Sequence, residues 1–250
     1  MPLTVLKTPV ASSPEQLIRL FHQSQLEWAR HFGDETELDF GRWIPADGCL
    51  LDAYLLPGFK PSDVLTDMIE RSRQAGCEWN CCTLNPSMPK EQTVPLVNEL
   101  LATGWVSRPI EILYRAKNPN STVFSKINNL KIIPARASYR HYKQLMGDQA
   151  AIHLDDSHFE SLLALADGQP IGCIGVLTSG EVGTIRDWHV IPERRHNGIG
   201  RLLLDRALES CVRGMLRHVM IGLPDSAVVA SRVCTAFGFE MIGNQAWFNR

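Results

Sequence analysis

The chain of 250 residues has no apolar run approaching the roughly 18 residues of a membrane-crossing helix. Its opening residues, MPLTVLKTPVASS, lack the long apolar region of a secretory leader, so no membrane partner is expected. Net charge is almost absent, −2 at neutral pH, which removes the electrostatic case for a nucleic acid as general partner. Paired zinc-type ligands are missing too: Cys77, Cys81 and Cys82 have no second Cys/His pair at ligand spacing, and no metal is expected. The seven cysteines are odd in number and scattered, which argues against a disulfide framework and for a reducing, cytoplasmic setting. What is plentiful is hydrophobic residues, 44%, enough for one large core or two ordinary ones.

Local patterns divide the chain. Ser13-Pro14-Glu15-Gln16 is a capping-box pattern with proline at the first helical position, and it opens an apolar-periodic helix ending near Gly33. A loop rich in Asp, Glu and Gly follows, then CLLDAYLL as a buried strand, a helix over 64–74, EWNCCTL as a strand, a helix over 94–102, and RPIEILYRA as the closing strand of the first half. The polar, turn-rich stretch KNPNSTVFSKINN from Lys117 to Asn129 marks the boundary between domains 1–120 and 130–250. Beyond it, LKIIPA reads as a strand, and SYRHYKQLMG as a helix ended by Gly147. Three strands then follow, separated by the hairpin signals Asp167-Gly168 and Ser179-Gly180. HVMIGL, a helix over 226–236 and a final strand complete the chain.

The halves repeat each other. Lys60 and Arg195, Met68-Ile69 and Leu203-Leu204, and Arg71 and Arg206 are pairs 135 positions apart, while Gly104-Trp105 and Gly238-Phe239 are 134 apart. The ordered set at a nearly constant shift implies two copies of one fold.

Only the second copy carries VIPERRHNGIG, where a strand stops at Pro192 and two glycines, Gly198 and Gly200, precede a helix. The first turn of a helix has N–H groups without intrahelical partners and a partial positive charge, so a loop wrapped over it holds anions. Arg194, Arg195, His196 and Arg201 add attraction for a diphosphate. A dinucleotide fingerprint would need a third glycine where Leu203 stands, and a Walker loop would need Lys-Ser/Thr after Gly200, where Arg201-Leu202 stand.

Val190-Ile191-Pro192 followed by Arg195-His196-Asn197-Gly198-Ile199-Gly200 resembles the acetyl-CoA loop of the GNAT superfamily of N-acetyltransferases. The likeness extends in strand and helix order from Leu130 to the C-terminus. It implies an α/β (α+β) architecture of two GNAT-like domains, each a mixed, mostly antiparallel twisted sheet flanked by helices. A splayed parallel strand pair is expected in the second, slotted between the strand ending at Val190 and HVMIGL.

By the same resemblance, acetyl-CoA is the cosubstrate. Its diphosphate would lie on backbone amides of Arg195, His196, Asn197, Gly198, Ile199, Gly200 and Arg201, and its pantetheine arm along Trp188 and Val190 like an added strand. The acceptor would be a small-molecule or peptide primary amine attacking the thioester directly, with Val190 N–H as oxyanion donor. Asp187, His189 or a water chain would take the amine proton. Family members often carry a tyrosine as acid four residues before the Gly-Phe pair; here Cys234 stands there, either donating a proton or simply packing. The segment IHLDDSHFE lies where acceptor pockets form, although its Asp155, Asp156 and Glu160 also suit a solvated loop, and its His153, Asp155 and His158 fix no metal geometry.

In the first half, Asp63 and Leu65 stand where Gly198 and Gly200 stand, so this tandem domain is expected to bind no coenzyme and to wall the acceptor cleft. Monomer and homodimer are both compatible with the sequence. A noncatalytic acyl-CoA sensor or interaction protein is the alternative reading of the same loop.

Overall fold

The computed structural model describes residues 12–44, 48–116 and 129–250. The boundary stretch at 117–128 and the opening segment 1–11 lie outside them.

The first half contains helix α1 (Pro14–Ala29), strands β1 (Thr36–Leu38), β2 (Gly41–Ile44) and β3 (Cys49–Ala53), helix α2 (Pro61–Ala75), β4 (Cys81–Leu84), α3 (Lys90–Ala102), β5 (Val106–Ser107) and β6 (Ile110–Ala116). The capping box forms: Ser13 Oγ accepts from Gln16 N–H, and Gln16 Oε1 accepts from Ser13 N–H at 2.9 Å. The stretch expected to be a loop before β3 instead folds as the β1–β2 hairpin.

The second half contains β7 (Leu130–Pro134), α4 (Tyr139–Met146), α5 (Gln149–Asp155), β8 (Phe159–Ala166), β9 (Gln169–Ser179), β10 (Val182–Val190), α6 (Ile199–Arg213), β11 (His218–Pro224), α7 (Val228–Ala236), β12 (Glu240–Gln245) and β13 (Trp247–Asn249). Asp167 and Gly168 both take positive φ, 51° and 78°, as a type I′ hairpin turn requires. The segment expected as a solvated loop is helical through Asp155, and His153 on it is buried.

Two mixed sheets result, in the orders β1-β2-β3-β4-β13-β5 and β12-β6-β11-β10-β9-β8-β7. Each contains one parallel pair, β3 with β4 and β10 with β11. Neither sheet is built from one half alone. Strand β6, expected to close the first half, lies between β11 and β12, while β13 from the chain's end lies between β4 and β5. Each half thus lends its last strand to the other.

The second sheet is covered on both faces. Helix α6 places Ile199, Leu203, Leu204, Ala207, Leu208 and Cys211 on one stripe against Leu162, Ile174, Val176, Ile185 and Ile221. The opposite face carries Leu163 and Cys173 under α4 and α5, and Val182 and Met220 under Leu17 and Phe21 of α1. The N-terminal helix therefore belongs to the packing of the second sheet. A separate core under α2 and α3 gathers Trp43, Trp79, Trp105 and Phe248.

Candidate active site

Strands β10 and β11 pair from Val182↔His218 to Ile185↔Ile221 and then part. Strand β11 stays on β6 as far as Pro224, and β10 stays on β9 as far as Val190. Between the diverging ends opens a cleft of about 1010 Å³, lined by β10 from Ile185 to Val190, by the basic loop, and by the start of α7.

A bulge shapes the β10 side. Its register on β9 shifts between Arg186 and His189, and Asp187 takes φ 50°, the left-handed position of a one-residue insertion. Arg186 and Asp187 consequently both reach the face covered by α1 and α5, whereas Trp188 and Val190 pack on the α6 side. Beyond the bulge, Ile191 N–H donates to Ile171 O at 3.0 Å. Hydrogen-bonded and non-hydrogen-bonded pairs alternate along antiparallel strands, so the N–H and C=O of Val190 face away from β9 and into the cleft. Arg195 Nε donates to that carbonyl at 2.9 Å.

At the other wall, α6 begins with Gly198 at φ 78°, and no side chain caps its first N–H groups. Trp188 Nε1 donates to Gly200 O at 3.1 Å, and a β-carbon on Gly200 would stand 3.4 Å from that nitrogen. Arg194, Arg195, His196 and Arg201 line the same mouth. Asn197 bonds Arg194 O through its side chain, and the Ile199 side chain is core, which leaves their backbones for a ligand.

The equivalent place in the first half is built differently. Asp63 Oδ2 accepts from Lys60 N–H at 3.0 Å, a carboxylate cap over the start of α2. Pairing of β3 with β4 continues to Ala53↔Leu84, followed by Asn85 N–H to Ala53 O at 2.9 Å, so these strands do not splay.

Polar groups gather where the second slot closes. Arg186 Nη1 donates to Gln25 Oε1, and its guanidinium carbon lies 4.5 Å from the Trp28 ring centre, both residues on α1. Asp187 Oδ2 lies 3.6 Å from His153 Nδ1, which is 3.0 Å from Tyr142 Oη; that hydroxyl also lies 2.8 Å from Ser161 Oγ. Arg186 Nε, Asp187 Oδ2 and His153 Nε2 are buried without hydrogen-bond partners among the described residues. Burial holds the His153 imidazole below its ordinary value and pushes the Tyr142 phenol up. Burial also lowers Arg186 to about 10, which leaves it a cation at neutral pH.

Among the residues named from sequence, Asp187, Trp188, His189, Val190, Arg195, His196, Gly198, Gly200 and Arg201 line one cleft, with His189 exposed. Cys234 does not line it: the side chain is fully buried in the α6/α7 core, and burial pushes its thiol up to about 12. Asp155 and Glu160 are exposed, Glu160 lying 3.3 Å from Arg213, while Asp156 is tucked 3.0 Å from His31. Arg186, Tyr142, Gln25 and Trp28 carried no local sequence signal. Their meeting depends on a bulge and on a helix from the distant half.

Residues 126–239 match the family model described as acetyltransferase (GNAT) family. No curated protein sequence matches the chain. Among solved structures, a GCN5-related N-acetyltransferase from Kribbella flavida superposes with a TM-score of 0.64 at 14% identity, over 92% of this chain and 94% of that one. A conserved protein of unknown function from Staphylococcus epidermidis gives 0.56 at 14% identity, over 86% and 93%. A tandem GNAT protein from the clavulanic acid biosynthesis pathway gives 0.56 at 15% identity, over 80% and 74%. At these identities the structural likeness is one of fold. The splayed strands and the basic loop just described lie within the part of the chain, 126–239, that matches the GNAT acetyltransferase family.

Proposed function

We propose that the protein is an acetyl-CoA-dependent N-acetyltransferase acting on a primary amine by direct attack in a ternary complex. The observation that carries this reading is the pairing of an uncapped helix start, ringed by basic side chains, with an open slot between β10 and β11. The N–H groups from Gly198 to Arg201 and the Arg194, Arg195, His196 and Arg201 side chains hold a diphosphate there. The inward-facing C=O of Val190 takes an extended pantetheine arm as a strand edge, Arg195 yielding it when the arm binds, which leaves the Val190 N–H for the thioester carbonyl.

Acetyl-CoA, when bound, supplies an activated thioester whose acetyl group passes from sulfur to nitrogen, one C–S bond breaking as one C–N bond forms. Val190 N–H donates toward the carbonyl oxygen as negative charge grows on it. An ammonium acceptor must lose a proton before attack, since its ordinary value is near 10. Asp187 lines the slot at its apex, and its carboxylate takes that proton. His153, held neutral, keeps this carboxylate from being locked in an ion pair. The departing thiolate needs no acid from Cys234, which packs the core.

The test is release of coenzyme A thiol from acetyl-CoA across a panel of primary amines. Turnover supports the transferase, whereas binding of acetyl-CoA with no release for any amine favours a noncatalytic acyl-CoA sensor. We infer for the first half a backing role: α1 seats Arg186 and Thr184 through Gln25 and Ser24, and the capped start of α2 excludes a second diphosphate.

A further inference from the structure

The apex of the slot holds two charges of opposite sign, with Gln25 and Trp28 beside Arg186 and the His153 imidazole 3.6 Å from Asp187. Among the described residues Arg186 forms no ion pair, and the hydrogen bond of its guanidinium runs from Nη1 to the neutral Gln25. Its Nε is buried and unsatisfied, and so is Asp187 Oδ2. A buried charge left unpaired is costly, so such an arrangement is expected where a ligand supplies the complement.

The bulge makes the two charges a single recognition element. In a regular strand, consecutive side chains point to opposite faces. Here Arg186 reaches α1 and Asp187 reaches α5, and those helices touch through the Trp28 and His153 rings, 4.9 Å between centres. Both residues line the slot. Trp28 orients the guanidinium by stacking against it and Gln25 takes Nη1, leaving the Nε–Nη2 edge to meet a carboxylate through paired N–H groups.

Resting on the transferase reading above, we propose that the acceptor is an amine bearing a carboxylate close to the reacting nitrogen, an amino acid in the broad sense. Arg186 binds the carboxylate while Asp187 faces the amine. In this assignment Arg186 is the residue that sets specificity, and Gln25 and Trp28 position it.

The experiment measures thiol release with α-, β- and γ-amino acids, each paired with its own amide, with rates corrected for the fraction of unprotonated amine. Wild type should favour a free acid over its amide by about tenfold or more in kcat/KM, the size expected of one charge-assisted pair. Arg186→Met, which keeps the stem on Trp28, should lose that preference chiefly through KM. Arg186→Lys, which keeps the cation without the fork, should retain part of it. Amides used as well as acids by wild type, a comparison needing no variant, overturns the assignment alone, as does a preference that survives Arg186→Met. No release with any amine from protein that binds acetyl-CoA overturns the transferase reading and this one with it.

Discussion

Asp52 and Asp187 occupy the same irregularity in the two halves of the chain, 135 positions apart. Each takes a left-handed φ, 56° and 50°, at a register shift, against the parallel β4 for Asp52 and against the antiparallel β9 for Asp187. Each carboxylate also faces a histidine from a helix packed on its sheet: His22 Nε2 at 2.9 Å from Asp52, and His153 Nδ1 at 3.6 Å from Asp187. The spacing is that of the sequence repeat, so the likeness of the two halves includes a left-handed backbone position. The two positions differ in their surroundings. His22 is bonded on both nitrogens, to Asp52 and Gln245, and the strands beside Asp52 stay paired, while Asp187 fronts an open slot.

Asp187→Asn should therefore separate fold from chemistry. Asparagine tolerates the left-handed region, so thermal stability and acetyl-CoA binding should stay near wild type. Turnover should fall by about two to three orders of magnitude if this carboxylate takes the amine proton. Asp187→Ala should in addition lose about 1–2 kcal/mol from backbone strain. Urea unfolding beside steady-state rates checks both.

Cys234→Ala should leave turnover and its alkaline pH limb unchanged, because a thiol pushed up to about 12 and walled from the slot has no part in proton transfer. The cost should appear as stability instead, about 1 kcal/mol for a small void beside Phe237 and Phe239. A pH–rate profile of the variant distinguishes the two roles.

Stability should decline as pH falls below about 6.5. Burial lowers His153 in the folded state, with Asp187 opposing and Arg186 and His31 reinforcing the shift. The unfolded chain thus binds its proton first, and acid favours unfolding from the ordinary histidine value down to the depressed one. Half-buried His218 adds in the same direction. His153→Gln should flatten the dependence in that window, followed by denaturant midpoints against pH.

The exchanged strands tie the halves into one unit. Phe248 on β13 is 1% exposed in the tryptophan-rich core of the first half. Phe248→Ala, near the last residue of the chain, should cost about 3–5 kcal/mol and release the Trp43, Trp79 and Trp105 environment. Tryptophan fluorescence in urea reads this directly, and an unchanged midpoint would contradict the exchange.

The basic loop, the start of α6 and the Asp167-Gly168 turn were legible from sequence because glycine, proline and charge act there over a few residues. The missing glycines at Asp63 and Leu65 were equally legible, and the structure adds that Asp63 caps the helix it opens. Strand order was not. Strand β6 alternates no differently for joining β11 rather than β4, and pairing across the whole chain leaves no local mark. The acid of the family pattern misled in the other direction: Cys234 has the right spacing, yet its side chain faces the core. Arg186 faces α1 by plain alternation with Val182 and Thr184, but its role was passed over because only the bulge at Asp187 brings the next carboxylate to the same face.

Whether the start of α6 holds a diphosphate is tested by thermal unfolding with and without acetyl-CoA, on wild type and on Gly198→Asp, which imitates the first half. A ligand at a hundredfold excess over its Kd stabilises the folded state by about 2.7 kcal/mol, enough to raise Tm by several degrees. Gly198→Asn, which accepts the left-handed backbone without adding charge, serves as the control for folding. Wild type should show a shift that persists in part in Gly198→Asn and vanishes in Gly198→Asp. No shift in wild type, or an equal shift in Gly198→Asp, would contradict a diphosphate site at the start of α6.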